Sequence, residues 1–103
     1  MALEKFRSYQ LAVDFYKEVS AQKLPLHLRD QILRASTSIV LNLAEGPAKA
    51  TAPDRQRFYR SALGSQRECS AILTLAPNTK RETCELCDKL GGHLYQLVNS
   101  PKA

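Results

Sequence analysis

The sequence predicts a single all-α domain, an up-down-up-down antiparallel four-helix bundle. Apolar residues recur at helical spacing in four segments, Pro or Gly marks every break between them, and no strand pattern competes. At 103 residues the chain suits one domain over 1–103, with room for one core and none for a second.

In the first segment Phe6, Tyr9, Val13 and Tyr16 follow 3-4-3 spacing, and Ala12, Phe15 and Val19 widen the stripe toward a second neighbour. This predicts a helix over 4–21. Pro25 then punctuates, and Leu28, Ile32, Ala35 and Ile39 define a second helix over 27–45, closed by Gly46 with Pro47 behind it. Residues 46–53 read as a loop. Thr51 is the expected cap of the third helix, Pro53 an early-turn proline and Asp54 a carboxylate suited to the positive end of the helix dipole.

That helix is expected over 53–76, with Phe58, Ala62, Ser65, Cys69, Ile72 and Ala76 as its packed seam until Pro77-Asn78 ends it. Thr79 and Glu82 match a capping box for a fourth helix over 79–98, whose stripe is Cys87, Leu90, Leu94 and Leu97. Gly91-Gly92 inside it costs about 1 kcal/mol per glycine relative to Ala, so a kink or a close backbone contact is expected there.

Hydrophobic residues make up 44% and charged residues 24% of the chain, ordinary globular usage that argues against disorder. Apolar runs such as Ile39-Val40-Leu41 fall far short of the roughly 20 residues that cross a bilayer. Glu4, Lys5 and Arg7 interrupt any secretory signal, and the protein is read as cytoplasmic. The formal charge of +5 favours polyanions without specifying one.

No phosphate loop, dinucleotide fingerprint, nucleophile elbow or zinc-protease motif occurs, so the chain reads as a protein that binds partners and does not catalyse a reaction. Cys84 and Cys87 form a lone CxxC, which as a zinc site needs two more ligands from Cys69, His27, His93 or a carboxylate. Cys87 lies in an apolar stripe and Cys69 in the seam, which points to buried structural thiols with no metal and no cofactor.

Asn42 falls one step along the stripe of the second helix, where its amide needs partners and suits register-setting. Glu45, in the last turn of that helix, opposes the dipole and calls for a cationic partner; Arg55, Arg57 and Arg60 are the nearest in sequence. At 100° per residue, Arg57, Arg60 and Arg67 cluster nearly opposite the seam of the third helix, with Glu68 the one acid nearby. Such a stripe fits a phosphate-facing surface, and equally a solvated face or a surface paired with acids of another subunit. Ser61, Ala62, Gly64 and Ser65 form a small-residue patch that permits close helix approach.

Two stretches, Ala35-Ser-Thr-Ser-Ile-Val-Leu-Asn-Leu-Ala-Glu-Gly46 and Asp54-Arg-Gln-Arg-Phe-Tyr-Arg-Ser-Ala-Leu-Gly-Ser-Gln-Arg-Glu68, resemble the four-helix-bundle proteins of the ribosomal-RNA intervening-sequence family. The match rests on Ser38-Ile39, Asn42, Ala44-Glu45-Gly46, Phe58, Ala62, Gly64-Ser65 and Glu68. Val40 stands near where family members often carry proline, and Cys84 and Cys87 are outside the family signature. That family is similar to the accessory variability proteins of diversity-generating retroelements. The resemblance implies a homo-oligomer, a pentamer, with RNA or DNA and a reverse-transcriptase-like protein as partners. Within it, Asn42, Glu45, Gly46, Phe58, Gly64 and Ser65 read as packing or interface residues; the place of Arg57, Arg60 and Arg67 on one face of the third helix, and not the resemblance, makes them the expected nucleic-acid contacts. The alternative is a structural protein–protein interaction module without nucleic-acid binding.

Overall fold

The computed structural model describes residues 2–3 and 6–103, which form four helices and, among them, no strand. They are α1 (Arg7–Ala21), α2 (Leu26–Glu45), α3 (Ala52–Leu75) and α4 (Arg81–Val98), with a 3-10 turn at Gly46–Ala48. Each helix packs on its neighbour in sequence and α4 returns to α1, closing an antiparallel ring about 41 Å long. The expected start of α1 at Glu4 lies outside the described residues.

The helix ends follow local chemistry at one place and depart from it at two. Thr51 caps α3 as expected, its hydroxyl accepting from the Asp54 amide at 3.3 Å, with Pro53 in the first turn. Gly46, however, is not a left-handed stop. It keeps helical angles (φ −54°, ψ −51°) and leads into the 3-10 turn. The reason is contact: Gly46 is buried, and a Cβ there would lie 2.6 Å from Cε1 of Tyr59 and 3.3 Å from Cβ of Phe58. The capping box of α4 does not form either. Thr79 turns back, donating to the carbonyls of Leu73 and Ala76 at 3.4 Å each, and so closes the end of α3. Between the two helices Asn78 takes the left-handed backbone (φ 58°), which asparagine tolerates better than most residues.

The stripes of α2 and α4 face inward as expected, except that Leu97 is only half-buried. In α1 the ranking of the two stripes reverses: Leu11, Ala12, Phe15 and Val19 are the core, while Tyr9 and Val13 sit at its edge and Tyr16 is 38% exposed. The inner stripe of leucine, alanine, phenylalanine and valine brings no polar side-chain atom inward, whereas the outer one carries two tyrosine hydroxyls.

The seam of α3 is rotated from the expected one. Ala62, Cys69, Ile72 and Ala76 are buried, but Phe58 and Ser65 lie on the flank, and Gln56, Tyr59, Gln66 and Leu73 take inward places. The two glutamines are admitted because α4 and the residues just after it offer acceptors to their N–H groups, although Gln56 Oε1 stays buried without a partner among the described residues. Gln56 Nε2 donates to the carbonyls of Leu97 and Ser100 at 3.0 Å each, tying down the end of α4, and Gln66 Nε2 donates to the Cys87 carbonyl at 3.0 Å. At the opposite end the Gln22 amide donates to the Thr83 hydroxyl, which donates to Glu18 at 3.3 Å.

Candidate nucleic-acid interface

The antiparallel course brings the start of α1, the end of α2, the start of α3 and the end of α4 to one end of the bundle. Phe6 and Tyr59 mark this convergence, their rings edge-on with centroids 6.4 Å apart. Here Arg7, Lys49, Arg55, Arg57, Arg60 and Lys102 face only Glu45 and Asp54 among the described residues. The rest of the bundle carries Asp14, Glu18, Asp30, Glu68, Glu82, Glu85 and Asp88, which nearly match its own cations. The excess positive charge of the chain is thus gathered at one end, around the first turns of α3.

The arginines there divide by what they touch. Arg55 is structural: Nη1 donates to the Lys49 carbonyl at 3.0 Å and Nε to the Ala103 carbonyl at 3.2 Å. It also offsets part of the upward push that burial gives the Tyr59 hydroxyl. Arg57 meets Asp54 at 3.7 Å, with side chains 70% and 53% exposed, a pairing that water largely screens. Arg60 is exposed, has no ion pair or hydrogen bond among the described residues, and lines with Arg57 a shallow groove between the start of α3 and the Val98–Pro101 segment. Arg67 is also exposed and unpaired among the described residues, but it lies ten positions beyond Arg57, about 15 Å along the axis and outside the basic end.

Glu45 does not gain the cationic partner expected of it. It is exposed and unpaired among the described residues, because Arg55 is held by carbonyls and Arg57 by Asp54, and water screens its opposition to the helix dipole. Asn42 bonds mainly within its own helix, Nδ2 donating to the Ser38 carbonyl at 2.8 Å and to Ser38 Oγ at 3.1 Å. The bond across to α3 is made by Ser65, whose hydroxyl donates to Ser38 Oγ at 2.9 Å. Gly64 brings no helix close within this chain: it is exposed, and a Cβ there would meet nothing within 4 Å. Only Ala62 of the small-residue patch is in the core.

Cys69 and Cys87 are buried free thiols between α3 and α4, and Cys84 is half-buried. Burial pushes Cys69 up, with Cys87 and Glu68 adding to it. Burial also takes Cys87 to about 11 despite the hydrogen bond from Gln66. Among the described residues no group of three or more His, Cys, Asp or Glu side chains is placed to hold a metal ion. Nor is any helix among them long and apolar enough to cross a membrane.

Sequence periodicity missed Lys49, whose ammonium stands 5.0 Å from the centroid of the Phe58 ring, with the Arg57 guanidinium 5.9 Å from the same centroid. Its only available signal was its place in the loop before an arginine-rich helix.

Fold and charge together define a small four-helix-bundle protein with one strongly basic end. The chain belongs to the 23S rRNA-intervening sequence protein family, whose sequence model matches residues 4–99. Neither the curated proteins nor the solved structures contain a significant match to it.

Proposed function

We propose that the protein is a non-enzymatic, cytoplasmic, homo-oligomeric nucleic-acid-binding protein. It presents Arg57 and Arg60 at the basic end, with Lys49 near Arg57, and Arg67 about 15 Å further along α3, to the phosphate backbone of RNA or DNA. The observation that carries this reading is the concentration of surplus positive charge at the end where Arg57 and Arg60 flank an open groove. Guanidiniums that are exposed and lightly paired lose little when they exchange water for phosphate oxygens. Family membership agrees with it, since the family is named for an intervening sequence of 23S rRNA.

One chain offers few phosphate contacts, and repetition around an oligomer multiplies them. An apolar surface outside the core supports self-association: Val13, Tyr16, Thr37 and Val40 line a hollow of about 200 Å³ between α1 and α2, and Leu41 beside it is 55% exposed. Resemblance supplies the pentamer as first choice and a reverse-transcriptase-like protein as a further partner. The same apolar surface also suits a purely structural interaction module.

A titration of labelled RNA and duplex DNA at several salt concentrations separates the two readings. The wild type is compared with Arg57→Ala/Arg60→Ala/Arg67→Ala after helicity and oligomer size are matched. Log affinity falls linearly with log salt, and each arginine removed flattens the slope by about 0.7 to 0.9 per subunit in contact, for all sequences alike. Equal binding by both proteins, or none near physiological salt, leaves the structural module.

A further inference from the structure

Phe58 was expected in the core seam of α3, and the fold leaves it on the flank, half-buried and beside the basic end. Its Cβ backs onto Gly46, where a Cβ would stand only 3.3 Å away, so the side chain is anchored at its base. The Lys49 ammonium lies 5.0 Å and the Arg57 guanidinium 5.9 Å from the ring centroid. Next to the ring is a hollow of about 210 Å³ lined by Asn42, Arg57, Phe58 and Ser61. Both donor contacts of Asn42 are made by Nδ2 to Ser38, which leaves Oδ1 without a partner among the described residues, and Ser61 is exposed.

We propose that this hollow receives one unpaired nucleobase, so that the protein prefers single-stranded RNA or DNA to duplex. The assignment rests on the nucleic-acid reading above. The base stacks on the Phe58 ring, and the two cations that now approach the ring turn to the phosphates on either side of the stacked nucleotide. The exchange is favourable, since an exposed cation–π contact is weaker than base–aromatic stacking and the displaced cations find full negative charges. Asn42 Oδ1 and the Ser61 hydroxyl meet the edge of the base as an acceptor and a donor–acceptor, a pair that every base can satisfy in part. Sequence preference therefore stays low. A base inside a duplex is stacked on both faces and cannot reach the ring, whereas a flexible single strand can turn one out.

The test uses the full chain and oligonucleotides of equal length, single-stranded or duplex, carrying the fluorescent base 2-aminopurine at one position. Wild type is expected to bind the single strand more tightly and to change the fluorescence of the base as it leaves its neighbours in the strand. Phe58→Leu, which keeps an apolar side chain against Gly46, should weaken single-strand binding by roughly 5- to 150-fold, the loss of one base–aromatic stack, and change duplex binding less than about twofold. Phe58→Tyr should retain the preference. Equal affinity of wild type for both forms, or an unchanged fluorescence, overturns the proposal whether or not the leucine variant folds. Unchanged single-strand binding in Phe58→Leu, with binding lost in the triple-arginine variant, overturns it and keeps the phosphate reading. No binding by wild type to either form overturns both.

Discussion

The side-chain amide of Gln66 occupies the space that a Cβ at Gly91 would take: that carbon would stand 2.6 Å from Nε2 and 2.9 Å from Cδ. The same Nε2 donates to the Cys87 carbonyl one turn earlier in α4, so a buried glutamine on α3 and a glycine on α4 are two halves of one contact.

Gly91→Ala and Gly92→Ala are therefore expected to act in opposite directions. At Gly92 a Cβ meets nothing within 4 Å, and the substitution should stabilise the fold by about 1 kcal/mol through helix propensity. At Gly91 the same gain is outweighed when Gln66 is pushed off its acceptor, since a buried amide left unpaired costs about 1 to 3 kcal/mol. Chemical denaturation of the two variants against wild type checks the contrast, and two equal shifts would remove the argument.

Gly46→Ala should destabilise by about 1 to 3 kcal/mol although its backbone is helical and suits alanine. The new methyl meets the Tyr59 ring, which is 2% exposed and has little room to move. Replacing Tyr59 by Leu in the same chain should recover part of the loss, which a double-mutant cycle in denaturant would read as coupling.

The thiols are expected to react in a fixed order. A disulfide dye at neutral pH should label Cys84 first, while Cys69 and Cys87 wait for unfolding. Both buried thiols are raised above their ordinary 9.0, so the folded chain resists ionising them more than the unfolded chain does. Their contribution to stability is complete below pH 9.0 and declines as pH rises from there through about 11, the folded value of Cys87. Thermal melts of wild type and Cys87→Ala across that range should converge as pH rises; a constant gap would contradict this.

Placing a charge on the apolar α1–α2 surface should dissolve the proposed homo-oligomer without unfolding the chain. Tyr16→Glu and Val40→Asp keep the core residues Phe15 and Ile39 intact. Light scattering at tens of micromolar should fall from oligomer to monomer with helicity unchanged, and a wild type that is already monomeric would end the oligomer reading.

The exposure of the three arginines was legible in the residues; that Arg67 falls outside the basic end was not. The spacing of Arg57, Arg60 and Arg67 places all three on the outer face of α3, and each is exposed. The pairing of Arg57 with Asp54, the use of Arg55 on loop carbonyls and the approach of Lys49 to Phe58 were not legible. They depend on how the short connection after Gly46 folds back, and no helical period describes a reversal.

By itself the sequence determined the four helices, their breaks at Pro25, Gly46 and Pro77, and the Thr51 cap, because periodicity, proline geometry and capping act within a few residues of chain. Only the tertiary structure decided which stripe of α1 turns inward, that Gln56 and Gln66 are buried while Phe58 is not, that Thr79 closes α3 instead of opening α4, and that the surplus charge collects at one end. Each of these turns on an acceptor, a missing Cβ or a charge supplied by another helix, and the distance between such partners along the chain carries no record of their meeting in space.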